Sequence, residues 1–225
     1  MNYNLMKNNK VTISGEVISE PEFSHEVYNE GFYEFYLKVS RLSIAYDIIP
    51  VTISERLMKI GNIKVGSKIS GYGQFRSYNK LQDGKSKLLL TVFLREIVPY
   101  DEFVNPNLIE ITGYVCKEPV FRTTPFNREI ADVLLAVNRS YNKSDYLPCI
   151  AWVRNARFVK DFVVGDKVVV SGRIQSREYQ KKLDDEVVTR TAYEISLSKI
   201  ELVREESDIA KVMTSVGELE NYYVR

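Results

Sequence analysis

Two stretches decide the fold: VTISGEVISEPEF at residues 11–23 and IEITGYVCKEPVF at residues 109–121. Laid over each other, Gly15 falls on Gly113, Glu20 on Glu118, Pro21 on Pro119 and Phe23 on Phe121, all at an offset of 98. The same offset places FYLKVSR (35–41) over VLLAVNR (133–139), with Arg41 over Arg139, and then Pro50 over Pro148. One residue later, VGSKISGYGQF (65–75) matches VGDKVVVSGRI (164–174), and in both a pair of glycines stands seven apart. A match sustained over this much chain marks an internal duplication. The halves meet near PYDEFVNPN (99–107), where prolines and polar residues predict a linker.

Within each half the pattern is that of strands. Val11, Ile13, Gly15 and Val17 alternate with polar neighbours, as do Phe35, Leu37 and Val39, and later Leu88, Leu90, Val92 and Leu94. The second half predicts strands over Ile109 to Val115, Val133 to Val137, Tyr146 to Val153, Val168 to Ile174, and Tyr193 to Leu197. Between its third and fourth strands, RNARFVKDFVVGD (154–166) places Ala156, Val159 and Phe162 at three-residue spacing, which predicts one short helix ending before Gly165. Five strands with a helix between strands three and four, in about 100 residues, is the plan of an OB barrel. The expected fold is therefore all-β, two tandem five-stranded OB-fold barrels. The first covers residues 1–100, a linker 101–107 follows, and the second barrel covers 108–204. Residues 205–225 form a short acidic segment, and Ile209, Val212, Met213 and Val216 predict an amphipathic helix there.

A hydrophobic content of 44% argues against long disorder. No apolar run approaches the roughly 20 residues a membrane span needs. The opening MNYNLMKNNK lacks the apolar stretch of a secretion signal, so a cytoplasmic protein is expected. Cys116 and Cys149 lie in apolar strand-like runs and read as free thiols. Net charge is +1 over 1–106, +3 over 107–204 and −3 over 205–225, so the basic excess sits in the second half. Catalysis is poorly supported. His25 is the only histidine, in a polar loop with no nucleophile beside it, and GNIKVGSK (61–68) has Ser67 and Lys68 in the wrong order for a phosphate loop. Asp184, Asp185 and Glu186 read as a solvated hairpin tip. No cofactor and no metal is expected.

Residues 107–204 resemble the bacterial single-stranded DNA-binding protein family. The resemblance is carried by NLIEITGYVCKEPVFRTT, ADVLLAVNRSY, DYLPCIAWVRNARFVKDFVVGDKVVVSGRIQSREY and the closing TAYEISLSKIEL, in order and at the right spacing. It implies a barrel that binds single strands by stacking bases on aromatics in a basic groove. The positions matching the family's stacking aromatics are Tyr141, Tyr146, Trp152 and Tyr179. Every base has a π-face, so such platforms hold a strand without reading its sequence. Tyr146 and Trp152 are six apart, an even number, and so share one strand face, with Ile150 as a neighbour of the same parity. Arg139 and Arg177 flank these aromatics and are the preferred phosphate contacts, with Arg122 and Arg173 beside them.

The first half departs from this pattern. Ser43 stands for Tyr141, Ile48 for Tyr146 and Ser54 for Trp152; Tyr78 in QFRSY is read as the counterpart of Tyr179, with Arg76 beside it. Tyr36, Tyr46 and Tyr72 are possible substitutes. The end of the chain departs as well, because the acidic tip through which the family recruits replication and repair proteins is replaced by a segment ending in Arg225. The resemblance implies four barrels per working unit, hence a homodimer. Three readings remain open: a sequence-tolerant binder of single-stranded DNA in replication, recombination or repair; a primosomal or RNA-binding accessory protein; and a protein-interaction scaffold without DNA binding.

Overall fold

The computed structural model describes residues 7–41, 43–82, 85–101, 105–140, 142–183 and 186–203. The predicted C-terminal helix, the Asp184–Asp185 hairpin tip and Tyr141 lie outside the described residues.

The first half folds as β1 (Asn9–Val17), β2 (Glu22–Val27), β3 (Glu30–Ser40), β4 (Tyr46–Ser54), α1 (Glu55–Gly61), β5 (Lys68–Gln82) and β6 (Lys85–Val98). The second half repeats it as β7 (Asn107–Val115), β8 (Val120–Thr123), β9 (Glu129–Arg139), β10 (Lys143–Trp152), α2 (Arg154–Val159), β11 (Lys167–Leu183) and β12 (Glu186–Leu202). Each half thus carries a sixth strand beyond the five expected, β2 and β8, hairpin partners at the edges of β3 and β9. Every described residue of β2 and β8 is exposed, so no apolar alternation marked them as strands.

Alternation elsewhere builds the cores. In β7, Asn107, Ile109, Ile111, Gly113 and Val115 face inward while the residues between them face out. Val11, Ile13, Phe35, Leu37, Val51 and Phe75 fill the first barrel; Ile109, Ile111, Leu135, Leu147, Ile174 and Ile195 fill the second. Each barrel closes where its first strand meets its third, Glu16 opposite Lys38 and Tyr114 opposite Ala136. The repeated glycine belongs to this closure. A Cβ on Gly15 would lie 2.3 Å from the carbonyl oxygen of Lys38, and one on Gly113 would lie 2.9 Å from that of Ala136.

The halves join into one twelve-stranded sheet through β1 and β7, which pair antiparallel with Val11 opposite Ile109. These two residues are repeat equivalents, so a pseudo-twofold axis passes between them. The axis shows in the flanking bonds: Ser14 N–H donates to Pro106 C=O at 2.8 Å, and Thr112 N–H to Asn8 C=O at 2.9 Å. It shows again in Asn9 and Asn107. Each buries its amide against the main chain of its own barrel, at Phe75 (2.7 and 2.9 Å) and Ile174 (2.7 and 2.9 Å) respectively, standing in for one rung of the ladder.

The single-residue shift in the repeat has a location. Ser54 aligns with Trp152 at the end of β4 and β10, but α1 begins at Glu55 and α2 at Arg154. The extra residue is Val153, which has φ 44°, a left-handed value that a β-branched side chain strongly disfavours. Ser54 caps α1 by accepting from Leu57 N–H, whereas α2 has no side-chain cap. The second half therefore holds a tryptophan where the first has its capping serine, and the residue that precedes α2 is the strained Val153.

Candidate nucleic-acid interface

Along β10 the inward residues Asp145, Leu147, Cys149 and Ala151 are buried, and Tyr146 on the opposite face is 47% exposed. Trp152 shares that outer face, half-buried, with its indole Nε1–H donating to Ser196 Oγ at 3.0 Å. Ile150 between them is buried, so the face holds a phenol at one end and an indole at the other, with an aliphatic floor. Tyr179, 37% exposed on β11, carries the Arg177 guanidinium 5.8 Å above its ring. Arg177 also lies 3.5 Å from Glu194, a nearly buried carboxylate that accepts from Gln175. Tyr146, Trp152, Tyr179 and Arg177 therefore remain presented at the surface of the second barrel.

The other arginines singled out in the sequence divide differently. Arg122 forms an exposed pair with Asp132 at 2.8 Å, a contact of about 0–1 kcal/mol that a phosphate could displace. Arg139 and Arg173 lie at the seam between the barrels. Asp47, wholly buried, accepts from Arg41 Nε (2.8 Å) and Nη2 (2.6 Å), and across the seam from Arg173 Nη1 (3.1 Å) and Ser176 N–H (2.8 Å). Its repeat equivalent Asp145 accepts from Ser77 N–H across the seam at 2.6 Å and lies 3.3 Å from Arg139. The serines close the arrangement, Tyr146 N–H donating to Ser77 Oγ at 2.7 Å and Ile48 N–H to Ser176 Oγ at 3.1 Å. Burial pushes the Asp145 carboxyl up, against the Ser77 amide and the charges of Arg139 and Arg76. Reading these arginines from sequence as groove cations missed their part in the seam. The signal was present in the repeat, which keeps Arg41, Asp47 and Ser77 over Arg139, Asp145 and Ser176.

In the first barrel, the seam contacts correct one equivalence. Because Ser77 matches Ser176, Tyr78 occupies the place of Arg177 and not that of Tyr179. Its hydroxyl donates to Glu34 at 2.7 Å, and burial raises its pKa. Arg76 lies 4.1 Å over the ring of Phe93. Tyr46 is half-exposed with Lys38 Nζ 4.7 Å over its ring, Tyr36 is exposed, and Tyr72 faces away on the outside of the central strands. Cys116 and Cys149 are both free. Among the described residues no group of three His, Cys, Asp or Glu could hold a metal ion. No helix among them is long and apolar enough to cross a membrane.

The Thermus aquaticus single-stranded DNA-binding protein shares the fold over 88% of this chain and 93% of its own, with a TM-score of 0.69 and 18% identity. Among curated relatives, single-stranded DNA-binding protein A of Bacillus subtilis is 32% identical over 83 residues, 34% of this chain and 48% of that protein. Single-stranded DNA-binding protein 1 of Staphylococcus aureus matches equally well, over 50% of its length, so the chain spans about half the length of these relatives. Single-stranded DNA-binding protein B of Bacillus subtilis is 35% identical over 83 residues, and there the match covers 74% of the relative. The model of the single-strand binding protein family matches residues 106–203, the whole second barrel from β7 to the end of β12. The chain belongs to the single-strand binding protein family.

Proposed function

We propose that the protein binds single-stranded DNA without reading its sequence, bases stacking on Tyr146 and Trp152 and phosphates meeting Arg177 and Arg122. The observation that carries this reading is the outer face of β10, where an exposed tyrosine and a half-buried tryptophan flank an aliphatic floor. Ring faces there gain about 1–3 kcal/mol per stacked base whatever the base is. Tyr179, under its arginine, extends the surface onto β11. Tyr141, two residues past β9 in sequence, belongs to the same proposed surface. Arg139 and Arg173, tied to seam carboxylates, act by holding the barrels in register so that this surface is rigid. Such binding serves DNA replication, recombination or repair in the cytoplasm.

Assembly as a homodimer belongs to the same proposal. The outside of β1, β7, β5 and β11 exposes Tyr72, Leu108, Tyr114 and Val169 around the pseudo-twofold axis. Lys10 and Glu110 stand opposite each other there. A second copy seated on this face would bring four barrels together. Equilibrium sedimentation distinguishes a mass of one chain, 26.0 kDa, from twice that value.

Trp152 is the only tryptophan, so its emission reports on the platform itself. Titration with oligo-dT is expected to quench it strongly, less at high salt, and not at all with duplex DNA. Absence of quenching together with absence of binding by a labelled oligonucleotide would sink the reading.

A further inference from the structure

The first barrel has lost the aromatic of β10, yet the equivalent site is not empty of aromatics. Strand register identifies the corresponding places. Phe32 lies opposite Ser54 as Ile130 lies opposite Trp152, and Phe93 lies opposite Thr52 as Ser196 lies opposite Ile150. In the second barrel a tryptophan on β10 leans on a serine of β12, Nε1 to Oγ at 3.0 Å. In the first barrel the sizes are exchanged: the serine is on β4 and the aromatic, Phe93, is on β6. Phe93 meets Phe32 at 5.5 Å between ring centroids, and Phe32 in turn stacks on His25 at 5.0 Å with 11° between the planes. Both phenylalanines are half-buried, so each keeps part of its ring open.

Cations gather on the same spot. The Arg76 guanidinium lies 4.1 Å and that of Arg95 5.2 Å from the Phe93 centroid. Arg76 donates to Gln74 at 2.8 Å, while its Nε is buried with no partner. Burial and the charges of Arg95 and Arg139 push its pKa down to about 10. The carboxylate that acts on it, Asp145, already lies beside Arg139. Arg76 and Arg139 thus share one carboxylate, and Arg95 adds a further positive charge beside the half-buried Phe93 ring. Glu34, two residues from Phe32 on β3, is occupied by the hydroxyls of Tyr78 and Ser24, at 2.7 Å each.

We propose that Phe32 and Phe93, clasped by Arg76 and Arg95, form a second single-strand-binding surface, on which the first barrel stacks a base and neutralises a phosphate. This rests on the single-strand reading of the second barrel and extends it to a surface the family's aromatic pattern does not mark. The two sites adjoin at the seam, where the Tyr146 main-chain N–H donates to the Oγ of Ser77, the residue next to Arg76 on β5. A strand leaving Trp152 by way of Tyr146 crosses the seam at Arg139 and reaches Phe93.

The test uses the full chain with its tryptophan moved. Phe93→Trp combined with Trp152→Phe leaves one indole, in the first barrel. Long oligo-dT is expected to quench it, while a labelled oligonucleotide reports binding independently. Binding without any change in that emission overturns the second surface and leaves the first reading standing. No binding of labelled oligonucleotide by the natural protein overturns both. A further pair of variants, Phe93→Ser and Phe32→Ile, installs the residues the second barrel holds at these places. Their combination is expected to weaken a long oligonucleotide about tenfold and a short one, filled by the second barrel alone, hardly at all. Equal affinities for natural and doubly substituted protein at both lengths also overturn the proposal.

Discussion

Replacing Asp47 by alanine tests the account of the seam. Its carboxylate is wholly buried and accepts hydrogen bonds from Arg41, Arg173 and the Ser176 amide, three groups from both halves of the chain. Asp47→Ala leaves two guanidinium groups facing each other and orphans a main-chain N–H. Removing one partner of a buried ion pair costs about 3–5 kcal/mol. The side chains of Arg41 and Arg173 are 30% and 36% exposed, so water recovers part of their solvation and the lower end, about 3 kcal/mol, is expected. For a chain of this length each kcal/mol lowers Tm by about 2–4 °C, so the melting transition should fall by roughly 6–12 °C. Arg173→Ala, which leaves Asp47 with Arg41 and Ser176, should cost only about 1 kcal/mol. The double variant should show the non-additivity of contacting residues. Calorimetry of the three proteins measures this. A Tm for Asp47→Ala within about 2 °C of the natural protein, or strict additivity with Arg173→Ala, would refute the claim that this carboxylate ties the barrels together.

Other substitutions probe separate links. Trp152→Ala should weaken oligo-dT binding about tenfold, read with a labelled oligonucleotide, while leaving the melting temperature within a few degrees. Gly15→Ala should destabilise by about 3 kcal/mol, because the new Cβ would lie 2.3 Å from the main-chain oxygen of Lys38 and 3.0 Å from Leu37 Cγ; Gly113→Ala, with 2.9 Å in place of 2.3 Å to the main chain, should cost less in denaturant unfolding. Val153→Gly should stabilise by about 1 kcal/mol through relief of a left-handed backbone, and a fall in stability would show that the valine side chain packs productively.

Much was legible in the sequence because strands announce themselves locally. Alternation at Ile109, Ile111 and Gly113 is a property of neighbours, and the offset of 98 tied the two halves without any coordinate. The same parity argument put Tyr146 and Trp152 on one face, where the structure has them. The edge strands β2 and β8 escaped, since a strand exposed along its length carries no apolar period. Tertiary structure alone decided what no local pattern encodes. Arg173 reads as a groove cation in the chain, and the pseudo-twofold pairing of β1 with β7 brings it to Asp47 of the other barrel, whereas Arg139 meets Asp145 within its own β9–β10 hairpin. Phe32 and Phe93 are 61 residues apart and belong to different strand pairs, so their meeting depends on β4 lying between β3 and β6. A sequence specifies which face a side chain takes; which other faces it meets is set by how the sheet curls and closes.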